Sequence, residues 1–320
     1  MTRYIARRLL WMLVLLLIVS LLTFVLFYLL PTADPARLRA GSKAPQDVVE
    51  EVRRSLGLSR PWPQQFLDFV RNLVLHFDLG YSYQNDVAVK DEIFSRLPAT
   101  FSLVLGGFVL WMTAAIAVGV ISATRRGSWL DRVAMGGALV AISAPVFWLG
   151  LVSIYLFADD IGRFKLLPGQ SSYVPLTDDP LGWLGSLVLP WCVLAAGFAA
   201  VYARLLRATM LETLSQDYIR TARAKGLRER RVVLRHGLRS AVTPLVSAAG
   251  VDLGGLLGGA IITERVFNIP GLGGLAYDSI RYADMPMIQG TVLFGAVMIV
   301  VCNLVVDVLY AFLDPRVRYS

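Results

Sequence analysis

Residues 97–124 read LPATFSLVLGGFVLWMTAAIAVGVISAT, 28 positions without a charged side chain. A helix needs about 20 apolar residues to cross a bilayer, where no water is present to satisfy backbone N–H and C=O groups. This stretch exceeds that length and predicts a transmembrane helix. Five more runs qualify on either side of it: Leu9 to Leu30, Val133 to Ala158, Pro180 to Ala203, Ser240 to Thr263 and Met285 to Val306. Only the fifth in chain order carries a charge, Asp252, and Asp307 follows the sixth directly. The expected fold is an all-α membrane protein with six transmembrane helices. Composition agrees, with 56% hydrophobic and 17% charged residues and a mean hydropathy of +0.60, where a soluble domain carries about 25% charge.

Arg3, Arg7 and Arg8 precede the first run as they would in a signal peptide. Its length is too great for an h-region of about 7–15 residues, and no small-x-small cleavage site follows, so it reads as a retained anchor. The balance of Lys and Arg then sets the orientation. The N-terminus is basic, the second short loop carries Arg125, Arg126 and Arg132, and the segment from Arg204 to Arg239 holds ten basic residues against three acidic. Residues 159–179 hold four Asp against Arg163 and Lys165. Both termini are therefore expected on the cytoplasmic side of an inner or plasma membrane.

Three regions follow: 1–30, a tail and first span; 31–96, an external region; and 97–320, a five-helix core with a cytoplasmic loop at 204–239. In the external region, Pro31, Pro35, Pro45, Pro61 and Pro63 punctuate two expected helices. One is amphipathic, from Asp47 to Leu56, and is stopped by Gly57 and Pro61; the other lies near Gln64 to Leu75. Cys192 and Cys302 sit in apolar runs and, with His76 and His236, build no zinc or disulfide framework. The net charge of +8 is concentrated between the apolar runs, as topology requires, and gives no reason to expect nucleic acid.

The loop 204–239 contains Asp217-Tyr-Ile-Arg-Thr-Ala-Arg-Ala-Lys-Gly226. It predicts a two-turn helix with Asp217 as N-cap, Lys225 at the negative end and Gly226 at C′. Thr221, Ala222 and Ala224 make its middle small enough to seat in a groove of another protein, with Arg220, Arg223 and Lys225 around the contact. Leu227 to Leu238 is expected to continue as a helix whose Arg228, Arg231, Arg235 and Arg239 share a face suited to lipid phosphates or an acidic partner. On charge alone, an ordinary positive-inside loop explains this segment equally well.

Tyr218 to Leu227, followed by Arg235-His-Gly-Leu-Arg239 and Pro244, resembles the coupling loop of binding-protein-dependent transport permeases, and more narrowly the B-type subunits of oligopeptide, dipeptide and nickel importers. The resemblance runs nearly end to end. It takes in Arg7-Arg-Leu-Leu10, Leu56-Gly-Leu58 with Pro61, Asp78-Leu-Gly80 with Ser82, and Arg96-Leu-Pro-Ala-Thr100. Ser143-Ala-Pro-Val-Phe147, Glu264 to Gly273, Asn303, Asp307 and Asp314-Pro-Arg316 continue it. Two positions depart from the pattern: Arg220, Thr221 and Ala222 stand where the general family has Glu-Ala-Ala, and Pro31-Thr-Ala-Asp-Pro35 replaces Pro-Gly-Asp-Pro.

The resemblance implies a type I ABC importer permease that forms half of a translocation pathway for di- or oligopeptides, with nickel chelates or another small solute as the alternative. It implies a related second permease as partner in a heterodimer, one or two ABC ATPase subunits docked on residues 217–226, and an external binding protein that delivers the solute. ATP and Mg would sit on the ATPase subunits. This chain has no P-loop, since none of Lys43, Lys90, Lys165 and Lys225 stands between Gly and Ser or Thr, and it is expected to bind no cofactor or metal and to have no catalytic residue. Spans five and six are expected to line the path.

Gly255 and Gly259 have the spacing of close helix contacts, either packing between helices of one subunit or smooth faces that slide as a gate at the pore. Asp252 either faces the pore, near a substrate amine, or makes a protonated or Arg-paired helix contact. Glu264, Phe267, Pro270 and Gly271 belong to a turn expected at the pore mouth, where Phe267 and Tyr277 meet the binding protein or gate. Asn303 and Asp307 are expected to be structural. A secondary transporter would show inverted repeats and several mid-membrane charges. An intramembrane enzyme would need a base within a span, or a framed aspartate pair, and neither is present.

Overall fold

The computed structural model describes residues 2–26, 34–41, 43–55 and 57–313. Their regular secondary structure is helical, joined by turns and loops that contain two isolated bridges, Tyr81 with Ala88 and Ala158 with Leu167. α1 spans Thr2–Phe24. Three short helices follow: α2 Pro35–Ala40, α3 Gln46–Ser55 and α4 Trp62–His76. Asp34 caps α2 by accepting from the Ala36 N–H at 3.1 Å, with Pro35 at the first helical position, where its missing N–H costs nothing. The other Asp34 oxygen meets Arg53 at 2.5 Å, which ties α2 to α3. Pro31 and Leu56, the last residue of the expected amphipathic helix, lie outside the described residues.

The 97–124 run is part of a longer helix, α5 (Val89–Thr124), and the fourth run is part of α8 (Pro180–Leu214). Each carries an internal proline, Pro98 or Pro190. The pair forms the centre of the main core, where Trp111 of α5 stacks on Phe198 of α8 at 4.7 Å between ring centroids.

Two expected single spans are broken. Val133 to Ala158 divides into α6 (Trp129–Ser143) and α7 (Val146–Phe157), which meet at 103°. The cause is local: Pro145 pushes Ala144 out of the helical region, and Ala144 lies at φ −84° and ψ 125°. The fifth run is bent by 48° at Val242, ahead of Pro244, and its long helix α12 (Thr243–Leu257) stops at Gly258. Thr263 therefore lies in a separate short helix, α13 (Ile261–Phe267), followed by α14 (Leu272–Arg281) and the last long helix, α15 (Met285–Leu313). Among the described residues, three helices are long and apolar enough to cross a membrane, or five if each bent pair counts as one, and α13 and α14 are outside all of them.

The chain thus has two ends. At one lie α2–α4, residues 158–179 and the α13–α14 turn. At the other lie the loop after α5 and the segment after α8. There α9 (Asp217–Ala224) forms where a two-turn helix is expected, and the basic helix expected from Leu227 to Leu238 runs from Glu229 to Ala241 as α10 (Glu229–Arg231), a π-helical turn (Val232–Gly237) and α11 (Leu238–Ala241).

Candidate functional site

The short helix α9 sits on a small apolar cluster of its own. Ile219 and Ala222 are buried against Val232, with Leu214 and Leu227 beside them. Ala222, expected in the outward-facing middle of the helix, is instead turned inward into the chain's own cluster. The cap is also corrected. Gln216 holds the N-cap position, and Asp217, in the first turn, faces Arg220 at 3.4 Å. The C-terminal end follows the sequence reading: Gly226 has φ +73°, and its N–H reaches the Arg223 carbonyl at 2.9 Å.

Tyr218, Arg220, Thr221, Arg223, Ala224 and Lys225 form the exposed face. Arg223 is turned back on Glu229 through two hydrogen bonds of 2.7 and 3.1 Å and holds that carboxyl below its ordinary range. Arg228, Arg230, Arg231, Arg235 and Arg239 are exposed behind it. The result is a small, outward-facing helix rigidly seated at the end of α8, with a basic flank.

In α12, Asp252 is half-buried and accepts a hydrogen bond of 2.5 Å from the hydroxyl of Tyr202 in α8. Its partner is neither an arginine nor a second carboxyl. The glycine reading needs revision as well. A Cβ at Gly255 would meet nothing within 4 Å, whereas one at Gly254 would fall 2.6 Å from the Ile299 Cα of α15. Gly250 and Gly258 face α15 in the same way, against Val306 and Gly295. The close-approach face is therefore 250/254/258, one residue out of register with Gly255. Gly259 (φ +138°) is pressed against Gly273 of α14. Asn303 is half-buried, and the Asp307 side chain and Asp314-Pro-Arg316 lie outside the described residues.

Glu264 forms a latch. It is fully buried, and its carboxyl accepts from Thr100 Oγ1 of α5 at 2.8 Å and from the Gly274 N–H at 2.8 Å. Thr100 in turn accepts from the Leu272 N–H at 2.8 Å. Gly271 is required at its position, since a Cβ there would lie 2.3 Å from the Glu264 carboxyl carbon. Desolvation outweighs these hydrogen bonds and pushes the carboxyl above its ordinary range. Glu264 and Gly271 thus brace the turn from within. Phe267, expected at the mouth, is 2% exposed and packs in the main core. Pro270 and Tyr277 remain exposed, and Arg265 lies over the Tyr277 ring at 4.5 Å.

Two further ties were not singled out in the sequence. Asp131 of α6 is buried and meets Arg207 of α8 through two bonds of 2.8 Å, and Ser122 and the Gly127 N–H also donate to it. Ser82 donates to Asp284, just before α15. A signal for the first existed in the Ser128-x-x-Asp131 spacing, where Ser128 caps α6. Among the described residues, no group of three His, Cys, Asp or Glu side chains is placed to hold a metal.

The family described as binding-protein-dependent transport system inner membrane component matches residues 115–319, and its N-terminal counterpart matches residues 1–104. A protein named as a peptide transport system permease in Brucella abortus (strain 2308) is 42% identical over 100% of both chains. The glutathione transport system permease protein GsiC of Pectobacterium atrosepticum is also 42% identical over 100% of both. Among solved structures, the MetNI methionine ABC transporter in inward-facing form aligns at TM-score 0.49 and 22% identity, over 71% of this chain and 96% of that one. The matched regions take in the α9 segment, the glycine face of α12 and the Glu264 latch. This chain belongs to the family of inner membrane components of binding-protein-dependent transport systems.

Proposed function

We propose that the chain is the permease subunit of an ATP-driven importer and forms half of the translocation path for short peptides delivered by a binding protein. Full-length identity to permeases named for peptides and for glutathione supports the substrate class. The observation that carries the mechanism is α9: a two-turn helix with its inner face fixed by Ile219 and Ala222 and its outer face open.

A separate ATPase subunit binds ATP and Mg, and its dimer closes on ATP. Energy enters this chain as a differential contact of α9 with the two states of that ATPase, because a partner shifts only an equilibrium that it discriminates. A related second permease supplies the other half of the path. The concentration of Arg and Lys around α9 supports a cytoplasmic location for that end, and hence for both termini.

The test is purification of the tagged chain in mild detergent with identification of its companions, followed by uptake of labelled peptide into proteoliposomes. Recovery of a second permease and an ATPase, with uptake that requires ATP inside and binding protein outside, is the expected result. A chain recovered alone and active without ATP would replace this reading with a secondary transporter.

A further inference from the structure

An apolar groove of about 740 Å³ opens between α1, α4, α5 and α15. It is within the size range of ligand cavities, about 300–1,000 Å³. Leu13 and Leu17 of α1, Val74 of α4, Phe101 of α5 and Val297 of α15 line it. Ser20 also lines it, is 3% exposed, and its buried hydroxyl has no hydrogen-bond partner. Two of the walls, α5 and α15, are helices long and apolar enough to cross a membrane, and α1 is apolar from Leu13 to Phe24. The fourth, α4, is amphipathic, and its groove side includes Val74 at 73% and is followed by Phe77 at 59% exposure. An apolar helix side this open marks an element lying in the membrane interface, with its apolar side turned into the acyl chains.

The opposite side of α4 lines a second, polar cavity of about 600 Å³ with Arg54, Arg60, Arg71 and His76. Arg60 is engaged with Asp68 at 2.8 Å, while Arg54 and Arg71 form no ion pair among the described residues. Phe24, one turn beyond Ser20 on α1, lies in the wall of this polar cavity. An apolar cleft and an unneutralised cationic pocket therefore meet at the junction of α1 with α4. That is the distribution of a phospholipid: hydrocarbon below, an anionic phosphate at the interface.

We propose that this junction holds one phospholipid, with an acyl chain in the α1/α4/α5/α15 groove and its phosphate at Arg54 and Arg71. The occupant is the surrounding bilayer's own lipid. Water is a poor filling for an apolar cleft at this depth, and the cationic pocket specifies a headgroup that carries negative charge. Lipid at this point fastens α1 and the α2–α4 segment to the five-helix core.

The test uses the full chain with its assembled partners in phosphatidylethanolamine/phosphatidylglycerol vesicles that contain a trace of phosphatidylglycerol with a mid-chain diazirine. After irradiation, adducts on peptides containing Leu17, Ser20 and Val74 are expected several-fold above those on Val140 and Tyr155, exposed side chains of α6 and α7 that report casual lipid contact. L17W together with V74W fills the groove from its exposed rim and should bring the ratio to the casual level. R54A with R71A should lower it several-fold. Groove labelling no higher than that of α6 and α7 in the unaltered chain overturns the proposal, as does a crosslink showing another protein chain seated there. Labelling that survives R54A/R71A refutes the phosphate contact.

Discussion

Replacement of Glu264 by alanine isolates the latch. Two donors lose their acceptor, the Thr100 hydroxyl and the Gly274 N–H, in a site with no exposure. Each orphaned buried donor costs about 1–3 kcal/mol, and the Thr100 hydroxyl can rotate to recover part of its share. The expected loss is about 3 kcal/mol, a fall of roughly 4–5 °C in the unfolding midpoint of a chain this size. Glu264→Gln keeps the shape and one acceptor oxygen and should lose about 1 kcal/mol. Thr100→Ala removes both a donor to Glu264 and the acceptor of the Leu272 N–H. The E264A/T100A pair should therefore fall short of additivity by about 1 kcal/mol, because one bond is counted in both single changes. The assay is thermal unfolding in detergent, followed by tryptophan fluorescence and by size-exclusion recovery. Strict additivity, or an E264A midpoint within a degree or so of the unaltered chain, would refute the role of this carboxyl in holding the α13–α14 turn.

The same carboxyl gives a pH signature. Burial raises its pKa, so the native state holds the proton more tightly than the unfolded chain. Its contribution to stability should fall as pH rises from the ordinary glutamate value through the raised native one, then level off, and E264Q should abolish that dependence. At Gly254, leucine would drive a side chain into the α15 backbone and should prevent recovery of folded protein, whereas Gly255→Leu should leave the midpoint unchanged; equal behaviour in the two would reject the 250/254/258 contact face. Asp131→Ala leaves Arg207 unpaired in a partly buried site and is expected to cost about 3 kcal/mol, with Arg207→Met milder because it leaves no orphaned cation. Gly226→Val forces a branched side chain to φ +73°, where it meets no neighbour, and should reduce peptide uptake per ATP hydrolysed while membrane insertion is normal.

What the sequence conveyed, and what it withheld, divides by the range of the interaction. Apolar runs and the α9 segment depend on residues adjacent in the chain, so α5, α8 and α15 were legible, as was Gly226 at C′. Breaks were harder. Pro145 interrupts a run that contains no charge, and hydropathy cannot tell a straight span from two half-helices at 103°. The glycine register failed because Gly254 and Gly255 are alike until the position of α15 is known. Ala222 and Phe267 look exposed in a polar loop and at a turn; Ala222 is covered when the chain folds back within ten positions to bring Val232 over it, and Phe267 is covered by main-core residues distant in sequence. Ion pairs such as Asp131 with Arg207 join positions 76 apart, and neither residue is unusual in its own neighbourhood.

The two bends that bound α12 divide the chain between α9 and α13 into separate rods. A load on α9 bears, through Ile219 and Ala222, on Val232, at the start of the π turn that leads through α11 into the elbow at Val242. Beyond that elbow, α12 is meshed tooth-to-groove with α15 and acts with it as one strut as far as the second joint at Gly258 and Gly259. On the other side, α6 and α8 are cross-bolted by Asp131 and Arg207 into a mount. Strut and mount touch through the Tyr202–Asp252 hydrogen bond, part-way along both long helices. The α9 cluster thus leads along the chain to the Val242 end of α12, and the lone carboxylate of the fifth apolar run sits where α12 meets α8.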